Sequence, residues 1–290
     1  MPELLCPLPL KTLLACTDES PASQGVLRAA LDLGRACRAQ VCLLYVMELL
    51  PFMEYGQPDA LGFPPPLIQD YQEVRESALR LQLKKREEIA AQEGVQLQGR
   101  LQVGGPVYAE ILAVAEELRP DLIIMGRRGM SGLERLLVGS VTARVIGHTG
   151  VMVLVVPRNA VLGFDRMLLA YDGSSASEAA AEVALKIAQQ TGGQLNLITV
   201  CHEDLEPAKA KALARDLAEE ARRRQVELIT LTPHGRPERS IIEVAIHREP
   251  QLIILGSHGR TGLKRLLLGS VAERVIGQAP CPVLVVKQQK

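Results

Sequence analysis

"LIILGSHGRTGLKRLLLGSVAERVIGQAPCPVLVV" (residues 252–286) runs from an apolar stretch into three glycines spaced three apart. A basic, leucine-rich turn, a Gly-Ser pair, a helical period and a second apolar stretch follow. Two short apolar runs joined through a helix read as neighbouring parallel strands, since parallel strands need a crossover between them. The pattern occurs twice. Residues 126–156 and 256–286 are identical at 18 of 31 positions, at an offset of 130. Upstream, "KTLLACTDES" (11–20) matches "DRMLLAYDGS" (165–174), and "AQVCLLYV" (39–46) matches "GQLNLITV" (193–200), at an offset of 154. The first half therefore holds a net 24 extra residues between Val46 and Gly126. Two homologous domains are expected, 1–158 and 163–290, joined near "PRNAVLG" (157–163).

Within the second half, "RMLLAY", "QLNLITV", "VELITLT", "LIILG" and "PVLVV" read as strands. "SASEAAAEVALKIAQQTGG" with its glycine stop, residues 206–224, "RSIIEVAIHRE" and "SVAERVIGQA" read as the helices between them. The first half repeats this order. Strands alternating with helices predict an α/β fold: two tandem Rossmann-like, doubly wound domains, each a parallel sheet covered on both faces. The extra segment "LLPFMEYGQPDALGFPPPLIQ" (49–69) is Pro-rich and reads as a loop packed over its own helix, with a lid over the site or a docking surface for a second copy as the functional alternatives.

Composition narrows the function. Thirty-three basic and 33 acidic residues give a formal net charge of zero, so no global field points to nucleic acid or a membrane surface. Aromatics at 3% with no Trp argue against a base-stacking platform. The six cysteines (Cys6, Cys16, Cys37, Cys42, Cys201, Cys281) contain no C-x-x-C pair, and they read as reduced thiols in a cytoplasmic protein. "LLAC" (13–16) has the look of a lipoprotein cleavage box, yet Lys11 interrupts the apolar stretch and the second half repeats it far from any N-terminus. It is read as a buried strand rather than a signal. No run approaches the ~18 apolar residues of a membrane helix.

In an open parallel sheet, ligands sit beyond the carboxyl ends of the strands where the strand order reverses. The loops beginning at Gly126 and Gly256 leave the fourth strand of each half, and Asp18 and Asp172 follow the first. Glycines let a ligand approach the main chain, and a helix starting at Gly139-Ser140 or Gly269-Ser270 presents N–H groups to an anion, with the serine placed to cap it. A P-loop is excluded because the chain has no Gly-Lys pair, and no G-x-G-x-x-G follows the first strand.

The spacing G-x₂-G-x₉-G-[ST] is met by Gly126, Gly129, Gly139 and Ser140, and again by Gly256, Gly259, Gly269 and Ser270. With "AYDGS" after the first strand and "PCPVLVV" at the end, nearly the whole chain resembles the universal stress proteins in their tandem two-domain form. The resemblance implies five strands per domain in the order 3-2-1-4-5, with ATP, alone or with Mg²⁺, as cofactor. By the same resemblance the signature loop holds ribose and phosphates, and the first-strand Asp and a second-strand Val lie by the base. These are Asp18 and Val46 in the first half, Asp172 and Val200 in the second. The loop-flanking Arg127, Ser257 and His258 and the first helical valines Val141 and Val271 join the expected set. The resemblance also implies that the final strands pair within the chain as a pseudo-dimer, and further association into a homo-oligomer is expected.

The first half departs from the pattern with Arg127-Arg128 for Ser257-His258 and with Glu19 for Gly173. The arginines read either as phosphate contacts or as surface ion pairs, and Glu19 would repel a polyphosphate unless it faces away. The five histidines (His148, His202, His234, His247, His258) show no zinc spacing, and no G-x-S-x-G elbow occurs. The expectation is a nucleotide-responsive stress regulator with an unidentified protein partner. A scaffold that binds no nucleotide and an enzyme acting on adenylates are the alternatives.

Overall fold

The computed structural model describes residues 4–20, 23–48, 65–127, 138–259 and 268–288, with backbone only for 65–69. The first domain contains β1 (Thr12–Thr17), α1 (Gln24–Cys37), β2 (Gln40–Glu48), α2 (Pro65–Gln92) and β3 (Leu97–Gly104). It continues through α3 (Val107–Leu118), β4 (Leu122–Gly126), α4 (Ser140–His148) and β5 (Met152–Val156). The second repeats the order with β6 (Arg166–Ala170), α5 (Ser175–Thr191), β7 (Gln194–Ile198), α6 (Pro207–Arg223) and β8 (Leu228–Leu231). Then come α7 (Pro237–Arg248), β9 (Leu252–Gly256), α8 (Ser270–Gln278) and β10 (Val283–Val286).

One ten-stranded sheet results, ordered β3-β2-β1-β4-β5-β10-β9-β6-β7-β8. Each domain is parallel in the order 3-2-1-4-5, as the resemblance implies, and the two join where β10 runs antiparallel to β5. Leu284 stands opposite Leu154, Val283 opposite Val155 and Val285 opposite Val153. Strand residues alternate between two apolar layers. Leu154 and Leu284 belong to the layer under α1, α2, α5 and α6, while Val153 and Val285 belong to the layer under α3, α4, α7 and α8. Both layers therefore run unbroken across the domain junction, which explains why the final strands are apolar at every position rather than alternating.

The sheet's reversal points fall between β1 and β4 and between β6 and β9. Two sequence readings need correction. Cys6 and Cys37 are not both reduced thiols; they form a disulfide with Cα atoms 4.8 Å apart. The segment before β1 folds back to the C-terminal end of α1, a long-range approach that spacing along the chain does not reveal. The extra first-half residues are not all loop. The helix starts at Pro65, where a missing N–H costs nothing in the first turn, and α2 has 28 residues against 17 in α6. Residues 49–64 lie outside the described residues.

Candidate functional site

In the second domain, β6 ends at Ala170 and the chain turns through Asp172, Gly173 and Ser174. Asp172 Oδ1 accepts the Ser174 N–H at 3.0 Å, and Gly173 takes φ +74°, the left-handed region that a side chain resists. Ser174 then caps α5 by accepting the Ser177 N–H at 3.2 Å. Tyr171 turns inward: its hydroxyl donates to Glu178, and burial together with that bond raises its pKa.

From the other side of the reversal, β9 ends at Gly256. Ser257 is buried, donates its N–H to Val286 O at 3.0 Å and accepts the Gly269 N–H at 2.9 Å. These two bonds close the base of the glycine loop beside β10. Gly269, not the serine after it, occupies the N-cap of α8. Ser270 is the first helical residue, and no side chain caps the helix. The same holds for Gly139 and Ser140 at α4. The capping role expected for Ser140 and Ser270 is thus overturned, because each helix begins one position earlier than that role requires. The consequence favours a ligand: among the described residues no side chain caps the start of α8, and its first residues line the crevice with their partial positive charge.

These two strand ends meet. A Cβ added to Gly259 would lie 2.9 Å from Asp172 Oδ2, so the glycine loop touches the carboxylate of the first strand. The crevice between them has a volume of about 510 Å³, within the range of small-molecule sites. Asp172, Val200, Gly256, His258, Gly259, Gly269, Ser270 and Val271 all line it. Ser257 lies behind the lining, its hydroxyl 3.1 Å from His258 Nδ1. Sequence reasoning missed His202 and Asp204, which line the mouth on the loop after β7. The signal was available, because they follow Val200 at the carboxyl end of the second strand, but His202 was weighed only as a metal ligand.

The first domain repeats the framework with changed contacts. Asp18 Oδ1 accepts both the Ser20 N–H (3.0 Å) and the Ser20 hydroxyl (2.6 Å), while Asp18 Oδ2 is buried with no hydrogen-bond partner among the described residues. Glu19 holds φ +57° where its counterpart is glycine, and its carboxylate lies 3.9 Å from Arg86 of α2. Arg127 donates its N–H to Val156 O and accepts from Gly139, as Ser257 does in its own domain. Its guanidinium reaches across the domain junction to Ala279 O at 3.0 Å, at the C-terminal end of α8. Val46, near the end of β2, and Val141 on α4 are half-buried. Gly129 lies outside the described residues, as does Arg128. Cys16 occupies the position of Ala170; burial, with Cys42 nearby, pushes its thiol pKa far up, so it is no nucleophile at neutral pH. Among the described residues no helix is long and apolar enough to cross a membrane.

Comparison with known proteins agrees with this fold. The profile of the Universal stress protein family matches residues 9–157 and again 163–287. A universal stress protein of Methanocaldococcus jannaschii is 34% identical over 148 residues, covering 51% of this chain and 82% of the relative. One from Thermus aquaticus is 37% identical over 138 residues, 43% of this chain and 99% of the relative. The crystal structure of a universal stress protein from Archaeoglobus fulgidus superposes with a TM-score of 0.72 at 26% identity, over 96% of this chain and 98% of that one. On a fold repeated twice, a glycine loop repeated twice and a profile matched twice, the chain belongs to the universal stress protein family.

Proposed function

We propose that the crevice of the second domain binds ATP and that the protein acts as a nucleotide-responsive regulator. The observation that carries this reading is convergence: the Asp172 carboxylate, the Gly256–Gly259 backbone and the uncapped start of α8 line one crevice of nucleotide size. The N–H groups of Ser270 and Val271 would hold phosphate oxygens at the positive end of α8. Gly259 allows the ligand close to the main chain. Ala170, Ile198, Val200 and Ile241 supply an apolar wall for the base, and Asp172 would accept from a ribose hydroxyl. Mg²⁺ would be held chiefly by the phosphates, as this ion commonly takes few protein ligands, with Asp172 and Asp204 the carboxylates that line the crevice.

The matching strand ends of the first domain, at Asp18 and Gly126, would carry the second nucleotide site. Glu19 is drawn toward Arg86, which lowers the repulsion expected of it, and Asp18 Oδ2, without a hydrogen-bond partner among the described residues, would gain a donor from a ligand hydroxyl. Among the described residues neither site brings together a nucleophile, a base and a group to orient the base, and binding rather than turnover is the proposed activity.

The test is to denature purified protein, identify the released nucleotide by chromatography, and repeat with the Gly259→Ala/Gly269→Ala and Gly129→Ala/Gly139→Ala variants. The proposal expects adenine nucleotide from the parent and its loss from the folded second-domain variant. No nucleotide from the parent, together with no binding of added MgATP, would favour the scaffold reading.

A further inference from the structure

Duplication supplies an internal control for the bond between Cys6 and Cys37. The segments leading into β1 and β6 correspond at the offset of 154. Each closes the apolar layer of its domain at the amino ends of the strands. In the first domain Leu10 is buried there with Leu8 packed beside it, and in the second Leu162 and Phe164 are buried. The positions of the two cysteines are held in the second domain by Ala160 and by Thr191, which ends α5 as Cys37 ends α1. The second domain therefore closes the same layer with no covalent bond, and the fold does not require one.

We propose that the Cys6–Cys37 bond is a reversible latch, opened by small thiols and reclosed by small disulfides, that sets how firmly residues 4–10 close the first domain. Both cysteines are half-buried, within reach of a small thiolate. Attack on one sulfur breaks the S–S bond, and its electron pair leaves on the other. Cys37 stands at the C-terminal end of α1, where the partial negative charge of the last carbonyls disfavours a thiolate, whereas Cys6 lies outside any helix. Attack on Cys37 Sγ, with Cys6 leaving as the thiolate and taking a proton from water, is the favoured course. A second small thiolate attacks the small-molecule sulfur of the mixed disulfide, and Cys37 leaves and is protonated in turn. One protein disulfide and two small thiols thus become two protein thiols and one small disulfide, a transfer of two electrons. Reclosure runs the same steps backwards.

The geometry accommodates the open state as well. The Leu8 carbonyl oxygen accepts the Leu10 N–H at 2.7 Å and lies 2.8 Å from Cys6 Sγ and 3.6 Å from Cys37 Sγ. In the disulfide neither sulfur has a proton to give; once reduced, either thiol can donate to the second lone pair of that oxygen. The other cysteines are poor competitors for exchange. Cys201 and Cys281 are buried, and burial pushes the Cys42 thiol up to about 11 and the Cys281 thiol up to about 12. The latch lies at the end of the sheet opposite the candidate nucleotide site, so it stands independently of that reading.

The test is to equilibrate the folded chain in mixtures of reduced and oxidised glutathione, trap free thiols with N-ethylmaleimide and map the label by mass spectrometry. Cys6 and Cys37 should be labelled together in the reduced mixtures and protected again on return to the oxidised ones, while the other four cysteines stay unlabelled. Reduction frees a link spanning 31 residues and should lower the melting temperature by about 5–10 °C. Hydrogen exchange at Leu8 and Leu10 should quicken about tenfold, with Leu162 and Phe164 unchanged. Cys6→Ala/Cys37→Thr, which installs the second domain's residues, should melt with the reduced parent and ignore the mixture. A bond that yields to thiols only after the chain unfolds, a pair that stays reduced in oxidised glutathione, or reduction that alters neither melting nor exchange would each overturn the proposal.

Discussion

Alanine at Gly259 is a sensitive probe of the meeting between the glycine loop and the first-strand aspartate. Its Cβ would lie 2.9 Å from Asp172 Oδ2, closer than real Cβ atoms come, so the carboxylate must retreat by several tenths of an ångström. That carboxylate is tethered through Oδ1 to the Ser174 N–H at 3.0 Å, and moving it loosens a bond worth about 1 kcal/mol. Global stability should fall by no more than this, because no apolar contact is lost. If Asp172 holds a ribose hydroxyl, its displacement should weaken ATP about tenfold, equivalent to about 1.4 kcal/mol. Calorimetric titration of MgATP into the parent, Gly259→Ala, Asp172→Ala and the double variant isolates the contact. The penalty of Gly259→Ala should shrink to under about threefold once Asp172 is alanine, a coupling of about 1 kcal/mol. An equal penalty in both backgrounds would refute the adjacency on which the site is built.

Three further outcomes are expected. Gly173→Ala should cost more than Gly192→Ala: both glycines sit near φ +70°, but the first would press its Cβ to 2.9 Å from Leu213 and the second meets nothing within 4 Å. Urea denaturation should place the second near 1 kcal/mol and the first clearly above it. Leu284→Ala, which empties a buried position opposite Leu154 at the domain junction, should lower stability by about 2–5 kcal/mol, and a loss under 1 kcal/mol would contradict a shared core. Burial lowers the Lys287 pKa from its ordinary 10.5 to about 8. The folded chain therefore sheds this proton near pH 8 while the unfolded chain keeps it to 10.5, so this residue's contribution to stability rises with pH across that window. Lys287→Met should raise the melting temperature at pH 7, by about 1 kcal/mol in stability after allowing for partial exposure, and should do so less at pH 10.

The fold was legible because duplication writes each element twice. The run "LIILG" is ambiguous alone, but its second copy "LIIMG" at the same distance from a glycine loop and a Gly-Ser pair is not. The crevice of the second domain was legible for the same reason, since Asp172 and Gly256 stand at the ends of strands that a 3-2-1-4-5 order makes neighbours. What stayed hidden depends on contacts rather than spacing. Nothing in the sequence brings Cys6 to Cys37. Arg127 reaches Ala279, 152 residues away, only because the two sheets join edge to edge. Glu19 keeps a glycine-like backbone with its carboxylate near Arg86 of α2, a helix whose start was read as loop. The N-cap of α8 was misjudged by one residue, because a serine after a glycine resembles a cap until the helix start is fixed.

Photo-crosslinking with 8-azido-ATP, followed by mapping of the labelled peptides, tests the central claim most directly. The account predicts label in the second domain on the peptide spanning Val200 to Asp204 or the one bearing Ile241, abolished by excess ATP and strongly reduced in Gly259→Ala/Gly269→Ala. Label confined to surfaces away from both crevices, or label that ATP does not displace, would contradict it.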